Sequence, residues 1–221
     1  CYTMGALPPL SAMDACLCMG ASIGMAFGAE KALGKEFSRD TVTIIGDSTF
    51  IHSGVTSLIN AVYNGGTITL LILDNRITGM TGHQENPVSG KNIYGDPAPE
   101  IDLEELCKAC GVQHITQVDP FDQKKLLQVL KEETKREAVS VIIVKRPCAL
   151  IVKEKLPPME VANCKNCGIC MQIACPCIQK TEAGAVIDET LCVGCGLCAK
   201  VCPFNAISPK QVDEKDGEGK Q

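Results

Sequence analysis

Residues 41–75 read TVTIIGDSTFIHSGVTSLINAVYNGGTITLLILDN, and this stretch decides the fold. Thr41–Gly46 is a short β-branched run. Phe50–Asn64 carries Val55, Leu58, Ile59 and Val62 at helical spacing and stops at Gly65-Gly66. Thr67–Leu73 is continuously apolar, the pattern of a strand covered on both faces. Strand, helix and strand in about 33 residues make a βαβ unit, so the two strands run parallel.

The alternation continues downstream. Asp102–Ala109 reads as a helix closed by Gly111, and His114–Val118 as a strand. Asp119-Pro120 reads as an N-cap with proline at the first helical position, opening a helix to about Glu137. Val139–Lys145 is a last buried strand. Residues 1–150 therefore predict an α/β domain with a mostly parallel sheet. Residues 78–100 break the pattern, with four glycines, three prolines and no periodicity. A stretch of that length inside a compact domain is usually functional, and it is read as a loop at the ligand edge of the sheet. Residues 151–162, with Pro157-Pro158, read as a linker, and 209–221 as a charged, disordered tail.

Cysteine sets the character of the rest. Of 15 cysteines, six lie in residues 1–163 and nine in 164–221. Cys164, Cys167 and Cys170 are spaced C-x2-C-x2-C and are followed by Cys175-Pro176. Cys192, Cys195 and Cys198 repeat the spacing before Cys202-Pro203, and only the first run has one extra residue before its fourth cysteine. Zinc sites and disulfides are the alternatives, but a tetrahedral zinc site takes pairs of cysteines, whereas three close thiolates wrap three corners of a cubane. No secretory leader is recognisable, which favours a cluster framework in a reducing, cytoplasmic compartment. The net charge of −5 offers no basic surface for nucleic acid. The apolar runs fall far short of the roughly 18 residues a membrane span needs. The chain opens at Cys1 and reads as the C-terminal part of a longer protein.

Parallel strands deliver their C-terminal ends to one sheet edge, where α/β ligand sites lie. Asp47 follows the first strand and Asn75 the second, so the two converge although 28 residues apart. A carboxylate and an amide oxygen suit Mg2+ with a diphosphate completing the shell. Ser48 and Thr49 open the crossover helix, where backbone N–H groups attract phosphate. Alone, Asp47 would also serve as a helix cap and Asn75 as a turn residue.

The GDS turn, about 26 residues and then Asn75 resemble the thiamine diphosphate signature of thiamine enzymes, with serine in place of its second glycine and Asp74 in place of its first asparagine. The resemblance implies Mg2+ on Asp47, Asn75 and the Ile77 carbonyl. It implies diphosphate contacts from Gly20, Gly46, Ser48, Thr49 and the Gly79 backbone, with Met19 propping the bent cofactor. The cysteine stretch resembles the bacterial two-cluster ferredoxins, in which the fourth cysteine of each run ligates the other cluster. That implies one [4Fe-4S] cluster on Cys164, Cys167, Cys170 and Cys202, and a second on Cys192, Cys195, Cys198 and Cys175. The pseudo-repeat implies a two-fold-symmetric small α+β domain over 163–208. Cys177 is extra and reads as a spare buried thiol.

Both halves in one chain resemble the 2-oxoacid:ferredoxin oxidoreductases. CYTMGALPPL, CMGASIG, GDSTFIHSG and LDNRITGMTGHQENP are similar to the large subunits of the indolepyruvate ferredoxin oxidoreductase branch. The resemblance implies oxidative decarboxylation of aryl 2-oxoacids such as indolepyruvate and phenylpyruvate, with coenzyme A as acyl acceptor, ferredoxin as electron acceptor and a small (beta) subunit as partner. Pyruvate or branched-chain 2-oxoacids, a non-redox decarboxylase, or an electron-transfer module on a non-catalytic scaffold are the alternatives. The resemblance also implies that an upstream pyrimidine-binding domain supplies the activating acid, so these 221 residues alone would be inactive. It makes His52 and His83 candidates for binding the substrate carboxylate or handling protons. Cys16 and Cys18, like Cys1, fit no ligand spacing and are expected to be small buried residues, and Cys107 and Cys110 to be ordinary core or surface.

Overall fold

The computed structural model describes residues 2–154 and 156–211. The chain divides into two units, one of Tyr2 and Ala15–Cys148, the other of Thr3–Asp14 and the chain from Ala149 on.

In the first unit, α1 (Ala21–Leu33) and the short α2 (Lys35–Arg39) lead into β1 (Val42–Gly46). The strand passes directly into α3 (Asp47–Thr49), a π-helical turn (Phe50–Gly54) and α4 (Val55–Tyr63). β2 (Thr69–Asp74), α5 (Leu103–Ala109), β3 (His114–Val118), α6 (Gln123–Glu133) and β4 (Ser140–Lys145) complete it. The strands order β1-β2-β4-β3, and every neighbouring pair is parallel.

Alternate side chains of β2 and β4 enter two separate cores, as the pleat requires. Leu70, Ile72, Val141 and Ile143 pack with Ile23, Phe27, Leu58 and Cys107 from α1, α4 and α5. Leu71, Ile142 and Val144 pack with Val129 of α6 and Val118 of β3. Each fully buried aliphatic side chain contributes about 1.5–3 kcal/mol, which is why an unbroken apolar run forms the centre of the sheet. The strand order reverses between β2 and β4, and a crevice opens at such a point beyond the carboxyl ends of the strands.

Three boundaries differ from the sequence reading. The helical run begins at Asp47 rather than Phe50, because Gly46 stays extended and leads straight into it. Asp119 does not cap α6. Its carboxylate accepts the Phe121 N–H at 2.8 Å and its carbonyl the Asp122 N–H at 3.0 Å, closing a turn. Asp122 is the cap, accepting the Lys125 N–H at 3.1 Å, and the helix ends at Glu133, short of Glu137. Residues 78–100 are irregular but hydrogen-bonded, with bridges between Thr78 and Gln84 and between Lys91 and Pro97.

In the second unit, β5 (Met159–Val161) lies inside the stretch expected to be linker. It is followed by a 3-10 turn at Ile169–Ile173, a hairpin of β6 (Ile178–Thr181) and β7 (Gly184–Ile187), α7 (Leu197–Val201) and β8 (Ile207–Pro209). β5 pairs antiparallel with β8, so the expected linker ends in a structural strand. Met159, Cys170, Cys177, Ile187, Cys198 and Ile207 form the core. Gly168 (φ 77°, ψ 0°) and Gly196 (φ 74°, ψ 3°) adopt the same left-handed turn before the two helical stretches. The extra residue of the first run is absorbed at Ala174, left-handed with φ 53°. The expected tail lies, from residue 212, outside the described residues. Among the described residues no helix is long and apolar enough to cross a membrane.

Candidate functional site

The edge beyond β1 and β2 is held together by Asp47. Its carboxylate is buried, and Oδ1 accepts the Ser48 N–H at 2.7 Å. Oδ2 accepts the Arg76 N–H at 3.0 Å, across 29 residues of sequence. This bond sets the Asn75–Arg76 peptide against the GDS turn. Asn75 Oδ1 accepts the Ile77 N–H at 3.2 Å, and Ile77 is buried. The expected magnesium set of Asp47, Asn75 and Ile77 therefore shares one corner of the sheet.

Gly20 reaches the same region from α1. It is left-handed, φ +87°, and a Cβ there would lie 2.3 Å from Ser53 Oγ. The CMGAS turn thus lies directly on the helix that follows GDS. Ser48, Thr49 and Gly79 are half-buried. Met19 is 66% exposed, so the described residues leave most of its side chain open. His52 and His83 are exposed, His83 with left-handed φ 61°, so neither imidazole is drawn into the Asp47 corner.

Burial pushes the Asp47 carboxyl up, and neighbouring Asp74 adds to this against the Ser48 and Arg76 N–H bonds. Burial likewise raises Asp74, opposed by the Arg76 guanidinium at 3.3 Å and by Lys145. Two buried carboxyls held above their ordinary range would be returned to charge by a bound dication. The donor set is hard oxygen throughout, which suits Mg2+.

Three contributors at this edge were not singled out by the sequence reading. Tyr2 covers Gly46, its ring 3.3 Å from where a Cβ would sit, and its hydroxyl donates to the Leu73 carbonyl at 3.4 Å. Arg76 bonds the Val88 carbonyl and Glu100 as well as Asp74, tying the loop down. Asn86 is buried; its amide nitrogen approaches the Asp47 carboxylate without forming a well-shaped hydrogen bond. No local pattern marks a residue that a long loop returns to the start of another element.

In the second unit, eight of the nine cysteines belong to the two expected quartets. Cys164, Cys167, Cys170 and Cys202 line one small pocket together with Ile169 and Phe204. Of the other four expected ligands, Cys198 is buried in the small core, and Cys175 and Cys192 pack against that core. Backbone N–H groups point at the sulfurs: Asn166 to Cys164 at 3.3 Å, Met159 to Cys192 at 3.3 Å and Ala206 to Cys202 at 3.4 Å. Ala185 and Asn166 N–H groups hold the Cys164 thiol below its ordinary range. Such donors favour thiolates, the state in which cysteine binds iron. Among the described residues no three His, Cys, Asp or Glu side chains crowd one point as a single ion requires. A cubane instead keeps each thiolate on its own iron corner, and the two quartets suit that larger group.

Of the remaining cysteines, Cys16 and Cys18 are exposed, not buried as expected, because the residues before α1 lie on the surface. Cys1 lies outside the described residues. Cys107 is core, its thiol pushed up to about 12 by burial, and Cys110 is half-buried beside it.

Residues 1–144 match the family described as thiamine pyrophosphate enzyme, C-terminal TPP binding domain. The chain belongs to the thiamine pyrophosphate enzyme family. Residues 185–208 of this thiamine enzyme chain match the 4Fe-4S binding domain. It is similar to the indolepyruvate oxidoreductase subunit IorA of Archaeoglobus fulgidus, 38% identical over 95% of this chain and 34% of that protein. The same subunit of Thermococcus kodakarensis is 36% identical over 99% of this chain and 36% of that protein. The chain thus spans about a third of the length of the curated relatives it matches. Among solved structures, a 2-oxoglutarate:ferredoxin oxidoreductase from Magnetococcus marinus shares the fold with a TM-score of 0.53. That match has 19% identity and covers 61% of this chain and 47% of that one.

Proposed function

We propose that the protein catalyses oxidative decarboxylation of aryl 2-oxoacids, indolepyruvate and phenylpyruvate, to acyl-coenzyme A and CO2. Two electrons leave one at a time through two [4Fe-4S] clusters to ferredoxin, with a small (beta) subunit as partner. The observation that carries this reading is the bond from the Arg76 N–H to Asp47, which sets the peptide after Asn75 against the GDS turn, in a chain that also carries two cysteine runs. The substrate class is supported by the names of the relatives at 36% to 38% identity.

In this reading Asp47, Asn75 and the Ile77 carbonyl hold Mg2+. Gly20, Gly46, Ser48, Thr49 and the Gly79 backbone hold the diphosphate, with Met19 beneath the cofactor. Thiamine diphosphate supplies the electron sink for loss of CO2, and the protein supplies position and electrostatics. His52 and His83, both open to solvent, are free to meet a substrate carboxylate or carry a proton. Clusters form on Cys164, Cys167, Cys170 and Cys202, and on Cys192, Cys195, Cys198 and Cys175. The domains run 1–150 for thiamine and 163–208 for the clusters. So many free thiols belong in a reducing compartment, the cytoplasm.

The test is an anaerobic assay of the full-length protein with its small subunit. Dye or ferredoxin reduction is followed with indolepyruvate, phenylpyruvate and pyruvate, with and without coenzyme A and thiamine diphosphate. Aryl-selective reduction that needs both cofactors is expected. Preference for pyruvate would move the substrate class. No substrate-driven reduction with intact clusters would overturn the reading in favour of an electron-transfer module.

A further inference from the structure

Arg76 stands between two expected magnesium ligands, Asn75 and Ile77, and has no part in the set itself. Its backbone is left-handed, φ 63°, a conformation that is costly for a residue with a long side chain. The turn brings its N–H between two carboxylates. That N–H donates to Asp47 Oδ2 at 3.0 Å and to Asp74 Oδ1 at 3.3 Å. Asp47 follows β1 and Asp74 ends β2, so two acidic side chains meet at one corner of the sheet. The guanidinium is given to one of them. Arg76 Nε lies 3.3 Å from Asp74 Oδ1, and the Asp74 side chain is 2% exposed. Arg76 Nη1 donates to the Val88 carbonyl and to Glu100, so the guanidinium is fixed on both sides of the pair. Lys145, opposite Asp74 on β4, lines the same pocket.

Resting on the thiamine reading above, we propose that Arg76 is a positioning residue for the magnesium corner, closing Asp74 into an ion pair so that Asp47 alone is presented to the metal and the diphosphate. A diphosphate is anionic, and a second free carboxylate beside it would oppose its binding. A buried carboxylate stripped of its partner is also costly in itself. The fixed guanidinium meets both demands, because it offsets the Asp74 charge and occupies one of its oxygens. The same balance is written in the sequence. Asp74 stands where the thiamine signature has a neutral asparagine, and the compensating cation follows two residues later. A pair of opposite charges thus replaces one uncharged amide. Arg76 touches neither metal nor substrate in this account; it acts through Asp74.

The experiment is calorimetric titration of the full-length protein, with its small subunit, by thiamine diphosphate at fixed Mg2+, beside thermal melts. The parent protein is compared with Arg76→Gln and with the double variant Arg76→Gln/Asp74→Asn. Loss of a group that orients a metal site weakens binding about 10–100-fold, and that loss is expected for Arg76→Gln. The double variant should recover most of it, because no charge is left at position 74 to offset. A merely structural role for the guanidinium would not be rescued by neutralising its partner. Unchanged affinity in Arg76→Gln would overturn the proposal, as would equal losses in the single and double variants. If Arg76→Gln does not fold, the double variant decides alone: near-parent affinity supports the proposal, and the full loss, or failure to fold, overturns it. A parent protein that binds no thiamine diphosphate would instead overturn the thiamine reading, and this proposal with it.

Discussion

Asp47 and Glu30 are both buried carboxylates, and their surroundings push them in opposite directions. Burial alone would raise Glu30. Its Oε2 accepts the Thr67 N–H at 2.7 Å, the Ser38 hydroxyl at 2.8 Å and the Thr67 hydroxyl at 3.0 Å. These bonds, with Lys31 at 3.7 Å from Oε1, leave its pKa lowered. A lowered native pKa gives stability that is present above the unfolded value and lost as pH falls through the native one. Glu30→Gln should therefore lower stability at neutral pH by about 1–3 kcal/mol. Thermal melts should show the gap to the parent protein closing on acidification, and a gap constant across that range would refute the assignment. Asp47 has few donors and an acidic neighbour, the balance of a site that receives a cation. Asp47→Asn should abolish Mg2+-dependent thiamine diphosphate binding in calorimetric titration while leaving the melting temperature close to that of the parent protein. Asp47 was legible in the sequence because GDS ends an apolar strand. Asn86 and Tyr2 were not, since what brings them to the site is loop closure and not any local spacing.

At the scale of elements, the helical run from Asp47 to Tyr63 carries the site. Its π-helical turn puts Gly54 where a Cβ would lie 2.8 Å from both Ile45 Cδ1 and Phe50 Cδ2. Gly54→Ala should cost about 1–3 kcal/mol through overpacking, seen as a lower denaturation midpoint. Gly20→Ala acts differently. The left-handed φ and the contact with Ser53 would force the CMGAS turn off the helix. Its effect on cofactor affinity should exceed its effect on stability, and calorimetry beside thermal melts separates the two. The strands were readable because a parallel sheet buried on both faces writes itself as apolar runs. The start of α6 was misread because Asp119-Pro120 and Asp122 are both acceptable caps. What decides between them is that the Asp119 carboxylate is already occupied by the Phe121 N–H.

For the whole molecule, the two units should respond separately to damage. β5 ends the stretch that composition marks as linker, yet it pairs with β8, and the Met159 N–H donates to Cys192 Sγ at 3.3 Å. A proline-rich stretch hides a three-residue strand because pairing partners nearly fifty residues away leave no local trace. Met159→Pro removes that donor and the strand's first residue. Iron content should fall while Mg2+-dependent thiamine diphosphate binding is retained; loss of both together would show the units to be one cooperative body.

Gly168 and Gly196 hold backbone angles within a few degrees of each other, whereas the turns that follow them are 3-10 in one run and α-helical in the other. In symmetry terms, the two runs match at the glycine turn and are unequal after the third cysteine. The extra residue falls where the chain only returns to the core, so the turn that aims the next cysteine keeps its geometry in both.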